Sequence, residues 1–183
     1  MSQHYTPTIK ELIEKHQYKS YLEIGLCQLE NFNQIECERK VGVDPVLDKE
    51  TDITLRLTSD EFFTQNTETF DCIFIDGLHH ADQVERDIVN AYKVLNNGGT
   101  ILIHDIKPSS YIAQVVPMPI TDFWNGDVWR AWFGLKKTKL TLEYIEETNG
   151  LGVIKKSKQP IPKRFVDYQT PWEEYNATKG WLV

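Results

Sequence analysis

Apolar residues recur along this chain with two alternating periods, one helical and one extended, and their order already sketches an architecture. Ile9, Leu12, Ile13 and His16 stand at helical spacing, and Thr8 with Glu11 matches a capping box, so a short helix over 8–17 leads the chain. Brief apolar runs from Tyr21 to Gly25 and from Lys40 to Pro45 flank a polar stretch that keeps Phe32 and Ile35 on one face. That order predicts strand, helix, strand. Residues 53–57 suit a third strand, and Phe70 to Asp76 is a continuous apolar run of the kind buried on both faces of a parallel sheet. Val84, Ile88, Ala91, Tyr92 and Leu95 then recur every three or four residues, predicting a helix from Asp82 that Asn97-Gly98-Gly99 stops. The next buried strand is 100–103.

Residues 107–123 hold three prolines and no clear period, which reads as a long loop, of the kind that is usually functional or disordered. A helix over 127–135 follows, and the extended runs 139–146 and 151–156 flank Asn149-Gly150, a hairpin signal. From Ser157 onward Pro160, Pro162 and Pro171 predict an extended tail, strapped to the surface by Phe165, Tyr168, Trp172, Tyr175 and Trp181. The expected organisation is one α/β domain over 1–156 and a tail over 157–183. Its sheet is doubly wound and mostly parallel, with an antiparallel terminal hairpin strand.

Composition narrows the class without changing this picture. With 183 residues, 40% hydrophobic and 26% charged, the chain suits one folded domain, not a disordered one. No apolar run is long enough for a membrane span, and Met-Ser-Gln-His-Tyr-Thr-Pro lacks a signal-peptide pattern, so a cytoplasmic location is expected. Cys27, Cys37 and Cys72 form no CxxC pair, which argues against a disulfide framework and a structural zinc site. A net charge of −7 disfavours a nucleic-acid partner. Locally, Lys136, Lys137, Lys139, Lys155, Lys156, Lys158, Lys163 and Arg164 crowd the last third, and a solvated charged face is the favoured account of them.

In open α/β sheets ligands sit beyond the carboxyl ends of the strands. Here four consecutive ends carry Glu23-x-Gly25, Asp44, Asp76-Gly77 and His104-Asp105, and unpaired carboxylates at a buried edge are costly unless they serve a ligand. Asp44 follows Gly25 by 19 residues, the spacing at which an acid closing the second strand reaches a ribose diol. The three-glycine phosphate fingerprint of nicotinamide enzymes is missing, as are Walker and nucleophile-elbow motifs.

Together, Glu23-x-Gly25, Gly42-Val43-Asp44-Pro45, the run from Phe70 to His80, Arg86-Asp87-Ile88 and the run from Leu95 to Asp105 resemble the class I S-adenosylmethionine (SAM) dependent methyltransferases. The resemblance spans roughly residues 18–156 and is nearest to small bacterial and viral enzymes of glycan or secondary-metabolite modification. It implies a seven-stranded Rossmann-like sheet and O-methylation of a small molecule or sugar hydroxyl. Glu23, Gly25 and Leu26 would then meet the methionine part of SAM, Asp44 the ribose, the Thr58-Ser59-Asp60 turn the adenine, and Asp76 the reacting centre. The first loop departs from the family, with Leu26-Cys27-Gln28-Leu29 in place of further small residues. An alternative is therefore a degenerate domain that serves as a non-catalytic binding or scaffold subunit.

The resemblance also implies a magnesium ion between the acid ending the fourth strand and acids after the fifth. Asp76 and Asp105 hold those places, and Ile106 stands where another oxygen ligand would be. Waters and substrate oxygens would have to complete such a site. His79, three residues past Asp76, suits the base that takes the acceptor's proton, with Asp76 and Asp105 beside it. The aromatic run Phe123 to Phe133 is either the core face of a helix or a wall over the acceptor. The expected partner is a small-molecule or glycan acceptor, with no nucleic acid and no membrane, and a homo-oligomer is left open.

Overall fold

A computed structural model describes residues 5–48, 51–121 and 123–183; residues 1–4, on which part of the reading of the amino terminus rests, lie outside them. The elements run α1 (Thr6–His16), β1 (Ser20–Ile24), α2 (Glu30–Gln34), β2 (Arg39–Val43), β3 (Thr54–Leu55), α3 (Ser59–Gln65), β4 (Phe70–Ile75) and α4 (Ala81–Val94). β5 (Leu95–Ile103), α5 (Val128–Leu135), β6 (Thr141–Ile145), β7 (Leu151–Lys155) and α6 (Trp172–Ala177) complete the chain. Seven strands form one sheet in the order β3-β2-β1-β4-β5-β7-β6. The first five are parallel, while β7 inserts antiparallel between β5 and β6.

Alternation along the strands builds two apolar layers. Leu22, Ile24, Ile73, Ile75, Ile101 and Ile103 face α4 and α5 on one side. Tyr21, Cys72, Phe74 and Leu102 face α1 and α2 on the other, meeting Ile9, Ile13 and Phe32. β1 and β4 are therefore covered on both faces, as the unbroken apolar run of β4 requires. Chain order reverses between β1 and β4, and the crevice at that reversal gathers Gly25, Asp44, Asp76 and Asp105 on one rim.

Two expectations are corrected. Asn97-Gly98-Gly99 does not stop α4; Leu95 turns extended and pairs with Phe70 at once, and the Asn-Asn-Gly-Gly residues form an irregularity inside β5 before Thr100 pairs with Cys72. The tail is not wholly extended either. Residues 172–177 are helical, and Tyr175 is fully buried between α5 and Trp181 because its ring fills a space no surface strap would close. Three of the eight basic residues that crowd the last third tie this tail down. Lys136 bonds the Gly180 carbonyl, Lys137 bonds Asp167, and Arg164 pairs with the buried Glu85. Among the described residues no helix is long and apolar enough to cross a membrane.

Candidate active site

Gly25 sets the closeness of the rim. Its φ is +88°, and a Cβ there would overlap the carbonyl of Asp76, so only glycine lets the ends of β1 and β4 meet. The chain then turns through Cys27 at φ 46° and Leu29 at φ 62°, left-handed positions that glycines would occupy at less cost. Asp44 holds this turn: its Oδ2 accepts the Leu26 N–H at 2.9 Å and the Cys27 N–H at 3.2 Å, and its Oδ1 accepts the Val46 N–H at 2.8 Å. About one of a carboxylate's roughly four acceptor positions stays free for a ligand hydroxyl.

A cavity of about 790 Å³ opens above the rim, within the range of small-molecule sites. Gly25, Asp44, Thr58, Ser59, Asp76, His79, His104 and Asp105 line it, so most of the residues singled out from sequence come together. Leu26, Asp60 and Glu23 do not. Leu26 is buried, with its methyl groups against Gly42, and only its N–H takes part, through Asp44. Asp60 points outward to Arg86, 3.3 Å away. Glu23 lies beneath the rim, where its carboxyl accepts from Tyr21 Oη at 2.6 Å and Asn31 Nδ2 at 2.8 Å.

Burial pushes the Glu23 carboxyl up to about 8, against the lowering effect of its two donors. Since an unfolded chain releases that proton near 4.5, the stability it contributes is fully present below 4.5 and is lost as pH rises through about 8. Glu23→Gln should flatten the fall in stability between about pH 5 and 8, read by urea unfolding at each pH. An unchanged slope would remove Glu23 from the pH response.

At the reacting end four side chains interlock. His79 lies with Nε2 3.4 Å from Asp76 Oδ1 and Nδ1 3.2 Å from Asp105 Oδ2, its ring stacked on Trp124 at 5.3 Å. His104 sets Nδ1 3.2 Å from Asp76 Oδ1 and 3.5 Å from Asp105 Oδ1. Burial alone would lower both imidazoles, but the carboxylates outweigh it: His79 is raised, and His104 reaches about 10. Burial likewise opposes ionisation of Asp76, yet His104 and His79 hold its carboxyl well below the usual range. Asp105 adopts φ 62°, a left-handed turn that brings its carboxylate under His79.

Several contributors were not legible in the sequence. Tyr5, 71 residues from Asp76, donates its hydroxyl to Asp76 Oδ2 at 2.9 Å. Asn125 donates from Nδ2 to Asp105 Oδ1 at 2.6 Å. Gln83 bonds Ser59 Oγ at 3.0 Å and lines the same cavity. No local pattern marks such contacts. The aromatic run divides between its two readings: Trp129 and Trp132 are core, whereas Phe123 lines the cavity and Trp124 supports His79. Gly126 has φ +60° and admits no Cβ against the His79 carbonyl, so this segment packs directly on the histidine.

Asp76, His79 and Asp105 each bring one potential ligand atom within 4.8 Å of the others, the one such group among the described residues. Their donor set does not fit magnesium. Every oxygen of the acid pair already faces a hydrogen-bond donor, from His104, His79, Tyr5 or Asn125. Ile106 offers no ligand either, being buried with its carbonyl bonded to Tyr175 Oη at 2.6 Å.

A family described as a methyltransferase domain matches residues 29–106. No curated protein matches the chain. Among solved structures, the O-methyltransferase from Bacillus cereus in complex with SAH aligns with a TM-score of 0.56 at 15% identity, over 83% of this chain and 80% of that one. The O-methyltransferase TomG from Streptomyces achromogenes, involved in tomaymycin synthesis and in complex with SAM, gives 0.60 at 12% identity, over 83% and 79%. MycE, a methyltransferase of mycinamycin biosynthesis in complex with Mg, SAH and mycinamycin VI, gives 0.56 at 16%, over 86% and 51%. At these identities the likeness is one of fold.

Proposed function

We propose that this chain is a class I SAM-dependent methyltransferase that methylates a hydroxyl oxygen of a small molecule or sugar, with His79 as the base. The observation that carries the reading is His79 itself, held between two carboxylates on the rim of the cavity at the sheet's reversal point. SAM fits the residues present: Gly25 lines the crevice where β1 and β4 meet, Asp44 retains an acceptor for a ribose hydroxyl, and Ser59 with Gln83 offers polar partners at the far wall for adenine. When bound, SAM supplies an electrophilic methyl group on a cationic sulfur.

The protein's own part is positioning and proton transfer. An acceptor hydroxyl above Asp76 and Asp105 comes within reach of His79, which takes its proton as the oxygen attacks. The imidazolium that results lies between Asp76 and Asp105, which favour it over the neutral ring. Trp124 holds the ring by stacking and by its carbonyl at Nδ1, Gly126 packs against the His79 backbone, and Phe123 and Leu78 give the cavity an apolar wall for the acceptor's carbon skeleton. Magnesium has no part in this reading, because the acid pair is already engaged by His104, His79, Tyr5 and Asn125.

Asp44→Ala should weaken SAM binding by about tenfold to a hundredfold, since a charge-assisted hydrogen bond contributes roughly 1.5 to 3 kcal/mol. Calorimetric titration with SAM and with SAH measures it, beside a melting curve to show that the chain still folds. Unchanged affinity in the folded variant would remove Asp44 from the cofactor site. Leu29→Gly should leave affinity intact, because Leu29 packs on the layer around Phe32 and does not line the cavity.

A further inference from the structure

Two buried carboxylates side by side need a compensating charge, and in this site it is already built into the chain. Asp76 Oδ1 and Asp105 Oδ1 both lie within 3.5 Å of one atom, Nδ1 of His104. A like-charged pair in a low-dielectric crevice is relieved either by a cation between them or by protonation of one member, and here a ring nitrogen stands between them.

The protonation of His104 follows from its partners. Nε2 lies 2.9 Å from the carbonyl oxygen of Thr148, which can only accept, so Nε2 carries a hydrogen. Nδ1 faces carboxylate oxygens alone, so it carries one too. A ring with two donating nitrogens is an imidazolium. Its position is fixed by packing, with Tyr5 against the ring at 4.6 Å and Phe74 beyond at 6.5 Å. Among the described residues His79 and Tyr5 also face the pair, and Glu23 beneath the rim lies near enough for its charge to act on Asp76; the Tyr5 phenol is kept protonated by burial and by Asp76.

We propose that His104 takes the place of a divalent cation at the Asp76–Asp105 pair, so that this methyltransferase needs no metal. His104 is thus a positioning residue, which sets the charge and orientation of Asp76 and Asp105, and these in turn hold His79. The proposal rests on the reading of the site as a methyl-transfer centre, but its test addresses the acid pair directly. It can therefore fail while cofactor binding stands, and the reverse.

The test is a titration of the wild-type chain, loaded with SAH, with Mn²⁺ as probe, the free ion being followed by electron paramagnetic resonance. Wild type should leave the free-ion signal undiminished at ion concentrations comparable with the protein's. His104→Gln, which keeps a donor for Thr148 but removes the positive charge, should bind Mn²⁺ at least about tenfold more tightly, a change of the size that neighbours of metal ligands produce. Adding Asp105→Asn to His104→Gln should abolish that gain. A measurement independent of variant folding is the ¹⁵N spectrum of wild-type His104 near neutral pH, which should show both ring nitrogens protonated. One stoichiometric Mn²⁺ per wild-type chain, displaced by Mg²⁺, would overturn the proposal. So would a neutral His104 ring, or a folded His104→Gln variant with no added affinity.

Discussion

His79→Ala should lower kcat by about 10²- to 10⁴-fold, the usual contribution of a positioned general base, with SAM affinity changed far less. The expectation comes from the histidine's surroundings. Its ring has Asp76 on one nitrogen and Asp105 on the other, with Trp124 across its face. Removing it leaves Asp76 still bonded to His104 and Tyr5, and Asp105 still bonded to Asn125, so the rim itself should persist. The pH profile gives the sharper reading. The neutral ring is the active form, and the carboxylates raise its proton affinity above the ordinary value of 6.5. The wild-type rate should therefore climb with pH through a value above 6.5 and then level off, and the variant's residual rate should lack that limb. Single-turnover measurements with a competent acceptor decide it. A variant with full kcat and an unaltered profile would take His79 out of the mechanism.

Tyr175→Ala should be the most damaging single change to stability, at about 3 to 5 kcal/mol, the range for emptying a large aromatic site. Tyr175 is fully buried, with ring centroids 4.6 Å from Trp129, 5.4 Å from Phe133 and 5.9 Å from Trp181. Its hydroxyl donates to the Ile106 carbonyl at 2.6 Å, one residue beyond Asp105. The tail thus anchors the segment that carries a site carboxylate. For a chain of this length the loss corresponds to a drop in Tm of roughly 6 to 20 °C. Tyr175→Phe keeps the packing and leaves the carbonyl unpaired, so it should cost only about 1 to 3 kcal/mol. Thermal and urea unfolding of the two variants separate the terms. A loss below about 1 kcal/mol for Tyr175→Ala would mean that the tail is a surface strap after all.

Much of the framework was present in local pattern. The central strands and the leading helix could be read from their periods because burial on one or both faces imposes those periods whatever the neighbours are. The places of Gly25, Asp44, Asp76 and Asp105 on one rim followed from the rule that parallel strands end on the same side. Errors came where a local signal competed with pairing. Asn97-Gly98-Gly99 has the composition of a helix stop, but Leu95 had already found Phe70 in the sheet. The prolines of the tail suggest extension, yet Trp172 to Ala177 forms a turn and a half of helix because it brings Tyr175 onto Trp129.

The sequence by itself determined the sheet, its mixed strand directions and the acids at its carboxyl edge, since these follow from apolar spacing and chain connectivity. Only the tertiary structure decided what those acids do. Glu23 turned under the sheet to Tyr21 and Asn31, Asp60 turned out to Arg86, and Asp44 closed the first loop as well as facing the cavity. Above all, Tyr5, His104 and Asn125 converged on Asp76 and Asp105 from three separate parts of the chain. A carboxylate's role depends on which donors reach it within about 3 Å, and over separations of 20 to 71 residues that proximity is a property of the fold and leaves no periodic trace in the chain.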